Sequence, residues 1–418
     1  MPACTAASAW ALLRPIYELV QLELTKTPSA CPMQLPYDEM PEPDRHDERP
    51  ANYWLLASII VLATVFAFHL FAEIALRFMP VATGMWSMPV NQAQPIFRFA
   101  PNRDFLFSRD WNFSLVNRGH INNDGFVNDE DYKVDDPRPL LGVVGDSQVE
   151  AAMVPNDKTF YRRLAEQLKE KGRVYSFAAS GAPLSQYLIW AQYATQKYRA
   201  GGIVIVVVGN DFDESLWAYN QRPGLHVYVK AADGRLHLRR TDYRPSPLRY
   251  LVRHSALGRY LVFHLHAIDA AKELAARWGL TSAAHAEMPQ HVGNTAADAS
   301  PERVRDSYEA ITAFLDDLAK MVPLPPDRIA FLVDGARYQH EVAITDRSYF
   351  GLMRKRLMSE AAQRGHEVID LQPWFVERSR DGRTAFEHPT DAHWNSIAHG
   401  VAAEALASSR LYRKLFGS

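Results

Sequence analysis

Apolar positions along this chain fall into three patterns, and each predicts a different kind of element. The first is an uncharged run from Trp54 to Ala72, WLLASIIVLATVFAFHLFA, interrupted only by Ser58, Thr64 and His69. Such a run is long enough to cross roughly 30 Å of hydrocarbon. Tyr53 and Trp54 at one end and Arg77 beyond the other suit interface anchors. The second pattern is the short apolar run without alternation, Leu141–Val144 and Ile203–Val208, as in strands buried on both faces of a parallel sheet. Weaker runs at 173–177, 328–333 and 367–371 read the same way. The third is helical spacing. Phe160, Leu164 and Leu168 recur four apart, with Gly172 as the expected terminator. Further helical stretches cover 184–198, 349–364 and 397–406, and Ser300-Pro301 opens one whose apolar face is Val304, Tyr308, Ile311, Leu315 and Leu318. Strand and helix alternate from residue 138 onward. That order predicts an α/β fold, a doubly wound (flavodoxin-like) parallel sheet of about five strands with flanking helices, preceded by one transmembrane helix.

The expected organisation is a largely disordered cytoplasmic tail over 1–53, a transmembrane anchor over 54–76, a loop-rich connector with short strands over 77–137 and an α/β domain over 138–418 with an insertion at about 212–299. Residues 10–24 of the tail have helical apolar spacing, whereas 32–50 are rich in proline and acid. Met33 is an alternative start. No small-x-small cleavage site follows the apolar run, so an uncleaved anchor is expected. Arg14, Lys26, Arg45 and Arg49 put the tail on the cytoplasmic side, because acidic residues count for little in orientation. Residues after about Val81 then lie outside the cytoplasm, and their lack of cysteine suits the periplasmic side of a bacterial inner membrane. In the connector, Asn122-Asn-Asp-Gly-Phe126 reads as a turn with Gly125 at positive φ. The insertion mixes aromatics, among them Trp217, Tyr228 and Tyr250, with arginines, and reads as one or two helices with a flexible exit.

Composition narrows the function classes. A formal net charge of -2 and a pI near 6.7 argue against a nucleic-acid partner. The two cysteines, Cys4 and Cys31, precede the anchor, so no disulfide staples the remainder. Without cysteines there, or a second His/Asp cluster of ligand spacing, neither a metal nor another cofactor is expected.

Three of the apolar strands end in small polar clusters containing glycine: Gly145-Asp146-Ser147, Ala178-Ala-Ser-Gly181-Ala182 and Gly209-Asn210-Asp211. In open α/β sheets ligands bind at the carboxyl ends of strands. Ser147 is therefore a candidate nucleophile, although Gly-Asp-Ser alone is also an ordinary turn. A serine needs a base, and the base an orienting acceptor. Asp391 and His393, in His388-Pro-Thr-Asp-Ala-His-Trp-Asn395, stand two apart at an expected loop-to-helix junction and suit those roles. His388 and His399 are alternative bases.

These four blocks, in this order over about 250 residues, resemble the SGNH, or GDSL, hydrolase superfamily. The amino-terminal anchor and the Asn-x-x-Gly-Phe arrangement ahead of Gly-Asp-Ser are similar to membrane-anchored bacterial members, and Asp-x-His-Trp-Asn to members acting on cell-surface polysaccharides. The resemblance implies Ser147 as nucleophile, His393 as base and Asp391 as its partner, with the Ser147 and Gly181 amides and the Asn210 side chain as an oxyanion hole. Two departures stand out: one residue, not two, separates Asp391 from His393, and no glycine follows two places after Ser147, unlike the α/β-hydrolase elbow. The implied function is a serine esterase or deacylase acting on an acylated glycan or lipid through an acyl-enzyme. An O-acyltransferase modifying a cell-surface polysaccharide, with a membrane acyl-donor protein as partner, is the alternative. A non-catalytic glycan-binding protein is a third reading, favoured if Asp391 and His393 stand too far from Ser147. An aromatic-lined groove built by residues 217–265 would point to a glycan.

Overall fold

The computed structural model describes residues 52–278 and 291–417. The expectations for the tail through residue 51 and for part of the polar exit after Thr281 fall outside them. The chain divides into two units after Leu62. Helix α1 (Tyr53–Arg77) begins in the first and ends in the second. It is long and apolar enough to cross a membrane, and none of its residues is buried. Its rise, about 37 Å over 25 residues, exceeds the hydrocarbon thickness.

The connector contains the short strands expected of it, paired as a hairpin. Strands β1 (Arg103–Arg109) and β2 (Leu115–Ile121) form an antiparallel hairpin in which Arg103 faces Ile121 and Arg109 faces Leu115. The turn at 122–126 closes as expected. Asn122 Oδ1 accepts from the amides of Asp124 and Phe126, both at 3.1 Å. Gly125 has φ +88, where a Cβ would stand 2.3 Å from the Phe99 carbonyl oxygen.

Strand β3 (Leu140–Gly145) begins the alternation, followed by the single-turn α2 (Ser147–Glu150), α3 (Phe160–Leu168), β4 (Arg173–Ala178), α4 (Leu184–Tyr198) and β5 (Gly202–Val207). After the insertion come α5 (Pro301–Met321), β6 (Ile329–Val333), α6 (Tyr349–Gln363), β7 (Glu367–Asp370), β8 (Asp391–Trp394) and α7 (Ser396–Ala407). The central sheet has the order β7-β6-β5-β3-β4, with every pairing parallel. This is the doubly wound, flavodoxin-like order.

The absence of alternation in the strands now has its cause. Val144, Phe177, Ile203, Ile205 and Phe331 pack into one core with residues of α4, α5 and α6. Their neighbours Leu141, Val143, Val174, Val204 and Leu332 pack into a second core with α3 and α7. Both faces of the sheet are covered, so β3, β5 and β6 carry an apolar residue or glycine at every position. One helix ending differs from expectation. The left-handed residue after α3 is Lys169 at φ 49, and Gly172 is extended. Gly172 is needed for space, because a Cβ there would stand 2.2 Å from the Phe416 ring.

The insertion contains a β-hairpin, His226–Lys230 with Leu236–Arg240, then helices Pro247–His254, Ala256–Arg259 and Ala267–Arg277 around a π turn at Tyr260–His264. It is tied to the end of α1. The Glu73 carboxylate accepts from the Ser255 hydroxyl at 2.8 Å and from the amides of Ala256 and Leu257 at 3.0 and 2.9 Å.

Candidate active site

The chain runs from β3 outward to β4, then returns past β3 to β5 on its other side, leaving a crevice beyond the carboxyl ends of β3 and β5. Ser147 follows β3 and Asn210 follows β5. Asp146 caps α2, its Oδ1 accepting from the Gln148 amide at 3.1 Å, and its Oδ2 stands 3.0 Å from Ser147 Oγ. Burial pushes the Asp146 carboxyl above its usual range. The tight turn also depends on Gly145, where a Cβ would stand 2.4 Å from Val149.

His393 Nε2 stands 2.8 Å from Ser147 Oγ. Its Nδ1 meets Asp391 Oδ1, which also accepts the His393 amide at 2.9 Å. With Nδ1 protonated toward the carboxylate, Nε2 presents a lone pair to the hydroxyl, the tautomer a general base requires. Burial opposes charge on Asp391, but the hydrogen bonds from His393 and the positive guanidinium of Arg109 hold its carboxyl well below the usual range. Arg109 Nη1 donates to Asp391 Oδ2. The line therefore has four members, Ser147, His393, Asp391 and Arg109, the last from the end of β1.

Asp391 and His393 stand on a strand rather than in the expected loop. Strand β8 pairs antiparallel with Glu387–His388 across a bulge. Asn395 sets the register, donating to the carbonyls of Ala385 and Glu387 at 2.8 and 3.1 Å while its Oδ1 caps α7 through the amides of Ile397 and Ala398. Trp394, fully buried, donates its amide to Gln148 Oε1 at 2.9 Å, fastening this hairpin to the serine turn. Neither alternative base reaches Ser147 among the described hydrogen bonds. His399 is buried, accepts from the Phe160 amide at 3.3 Å, and is pushed down to about 3 by burial. His388 is lowered by burial as well.

Gly181, at φ +70, lines the same crevice as Ser147, Asn210, Asp391 and His393. Its loop is braced from two sides. The Ser180 amide and hydroxyl donate to the buried Glu150 carboxylate at 2.7 and 2.6 Å, and Arg222 donates to the Ser180 carbonyl at 2.5 Å. A Cβ at Gly181 would stand 2.5 Å from that guanidinium. Asn210 Nδ2 donates one hydrogen to Glu214 Oε2 at 3.2 Å, so the amide is oriented while its second N–H remains for a ligand. Burial pushes the Glu214 carboxyl up to about 7.

These groups open onto a pocket of about 600 Å³. Its apolar wall comes from Met85, Phe105, Phe107, Met153 and Phe263. Of the aromatics between residues 217 and 265, Phe263 is the one that lines it, so the groove that would have pointed to a glycan is not built by that stretch and the wall comes mainly from the connector. Glu214 stands four positions after Asn210, whereas Arg109 and the connector aromatics carry no local signal in the sequence. Arg109 stands 282 positions from its partner, in a segment whose strands show no clear alternation.

No protein-family model matches this chain, and no curated protein matches it. Among solved structures it is similar to LAE5, an alpha/beta hydrolase enzyme from the metagenome of Lake Arreo, Spain (13% identity, TM-score 0.34, 65% of this chain and 94% of that one). It is also similar to a member of the lipolytic protein G-D-S-L family from Veillonella parvula DSM 2008 (9%, 0.33, 65% and 97%) and to the acetyl xylan esterase AlAXEase (11%, 0.35, 64% and 98%). Likeness at this level transfers no activity. The fold assignment rests on the strand order and the two-sided core described above.

Proposed function

We propose that this chain is a membrane-anchored serine esterase or deacylase of the SGNH hydrolase type, acting on acyl esters of an extracytoplasmic glycan or lipid. The observation that carries the reading is the unbroken line from Ser147 Oγ through His393 to Asp391 at the mouth of an apolar-walled pocket. The separation that would have favoured a non-catalytic binding protein is not met at 2.8 Å.

In this mechanism His393 Nε2 takes the Ser147 proton as Oγ bonds to the acyl carbon. The carbonyl electron pair moves onto oxygen, where the Ser147 and Gly181 amides and the second N–H of Asn210 receive it. Collapse breaks the ester bond, His393 returns the proton to the leaving alcohol, and the acyl-enzyme remains. Water, deprotonated by the same imidazole, then attacks the acyl carbon, and collapse breaks the bond to Ser147 Oγ, which takes the proton back from His393 as the acid leaves. Asp391 stays ionised, holding the tautomer and stabilising the imidazolium.

Acyl transfer to a sugar hydroxyl shares the first half of this scheme. One observation favours it as a second reading: a neighbouring cavity of about 490 Å³ shares Asn294 with the first and is bordered by Ala392, next to His393. Partition of the acyl-enzyme between water and an added sugar tests this choice. Transfer in excess of the sugar's share of total hydroxyl concentration is the expected mark of an acceptor site.

The test of the main reading is mass spectrometry of the full chain after exposure to a serine-reactive fluorophosphonate. A single adduct on Ser147, lost in Ser147→Ala and in His393→Ala, is expected. No adduct in folded wild-type protein would sink both the esterase and the transferase.

A further inference from the structure

We infer that residues 247–278 of the insertion lie in the membrane interface beside the anchor, with their apolar side chains among the lipids of the leaflet that α1 exits. Leu248 and Leu251 stand three apart on the helix Pro247–His254, one face by spacing, and are 68% and 66% exposed. Leu274 and Trp278, four apart at the end of Ala267–Arg277, are 47% and 70% exposed. Exposed apolar side chains so concentrated in one short segment mark a surface that is covered by something.

What covers it is indicated by the attachment of the segment. Glu73, near the end of α1, caps the short helix Ala256–Arg259 through the Ser255 hydroxyl and two amides. The residues just beyond α1, Phe78 and Met79, are themselves exposed apolar side chains. The segment is thus hydrogen-bonded directly to the end of the apolar anchor. Its composition suits an interface: five basic residues (Arg249, Arg253, Arg259, Lys272, Arg277) against two acidic ones (Asp269, Glu273), with Trp278 and Tyr250 as amphipathic rings. The pocket is built from the same pieces, since Ala82, Gly84 and Met85 follow the anchor directly and Phe263 comes from the π turn. With the serine chemistry proposed above, this brings acyl chains to Ser147 from the bilayer.

The test uses the full chain, with Cys4→Ser and Cys31→Ser, in vesicles of phosphatidylcholine and phosphatidylglycerol. Single cysteines, Leu251→Cys and Leu274→Cys, carry an environment-sensitive fluorophore. Glu166→Cys, exposed on α3, is the aqueous control, and Leu62→Cys reports insertion of the anchor. Lipids spin-labelled near the headgroup are expected to quench positions 251 and 274 several-fold more than position 166, while iodide quenches them less. Equal quenching at all three would overturn the inference. Shielding from iodide without quenching by the lipids would overturn it too, by showing a protein partner instead. The readout involves no catalysis, so it stands or falls apart from the Ser147 reading.

Discussion

At the scale of single residues, the site depends on how carboxylates are held. Asp391 is depressed, so it contributes stability that is present above its unfolded value of about 3.9 and is lost as pH falls through the folded value. Removing Arg109 removes one of the causes of that depression. Unfolding midpoints measured from pH 2 to 5 should therefore fall most steeply with acid in the wild type, less in Arg109→Met and least in Asp391→Asn. The Arg109→Met protein should also label more slowly with fluorophosphonate at pH 7, by up to roughly 100-fold, through misplacement of the imidazole. An unchanged acid slope would show that Arg109 does not act on Asp391.

Glu214 has the opposite sign. Its carboxyl is raised to about 7, so the stability of the folded state declines as pH rises from the ordinary glutamate range through 7. Glu214→Gln keeps an acceptor for Asn210 and should flatten that decline, whereas Asn210→Ala should lower turnover by about 10²–10³ with little change in unfolding midpoint. Equal losses of turnover and stability in Asn210→Ala would recast it as a structural cap of β5.

At the scale of elements, the close approach of segments limits what can change. Gly209 lets the turn at 291–296 cross above the end of β5, since a Cβ there would stand 1.9 Å from the Gly293 carbonyl oxygen. Backbone cannot yield as a side-chain tip does. Gly209→Ala should therefore cost roughly 1–3 kcal/mol in urea unfolding and slow labelling of Ser147 by moving Asn210. Wild-type values in both assays would refute the crossing. The same scale shows what could be read from the sequence. Strands β3, β5 and β6 were legible because burial on both faces leaves an apolar run that only glycine interrupts. Short strands were expected in the connector, but the bounds and pairing of β1 and β2 were not legible, because their partly buried residues alternate too weakly. Strand β8 was read as loop because four residues carry no period, and its pairing is set by Asn395 and by Gln148, 246 positions before Trp394. The serine, the aspartate and the histidine were visible as local clusters, and Glu214 stands only four positions from Asn210, whereas Arg109 acts across 282 positions.

At the scale of the whole molecule, the anchor and the enzyme fold are parts of one design. The proposed orientation is checked by external protease on bacterial spheroplasts, with tags at both ends. Loss of the carboxy-terminal tag and survival of the amino-terminal one is expected, and the reverse pattern would place the enzyme in the cytoplasm. The bond from the Trp394 amide to Gln148 bears on how such a chain could be made safely. A serine turn assembled early, as the polypeptide emerges through the membrane, is inert until the segment around residue 394 has followed and locked against it. On the proposed reading, biosynthesis would supply its own delay, because the serine turn meets its base only once the segment 246 positions later is in place.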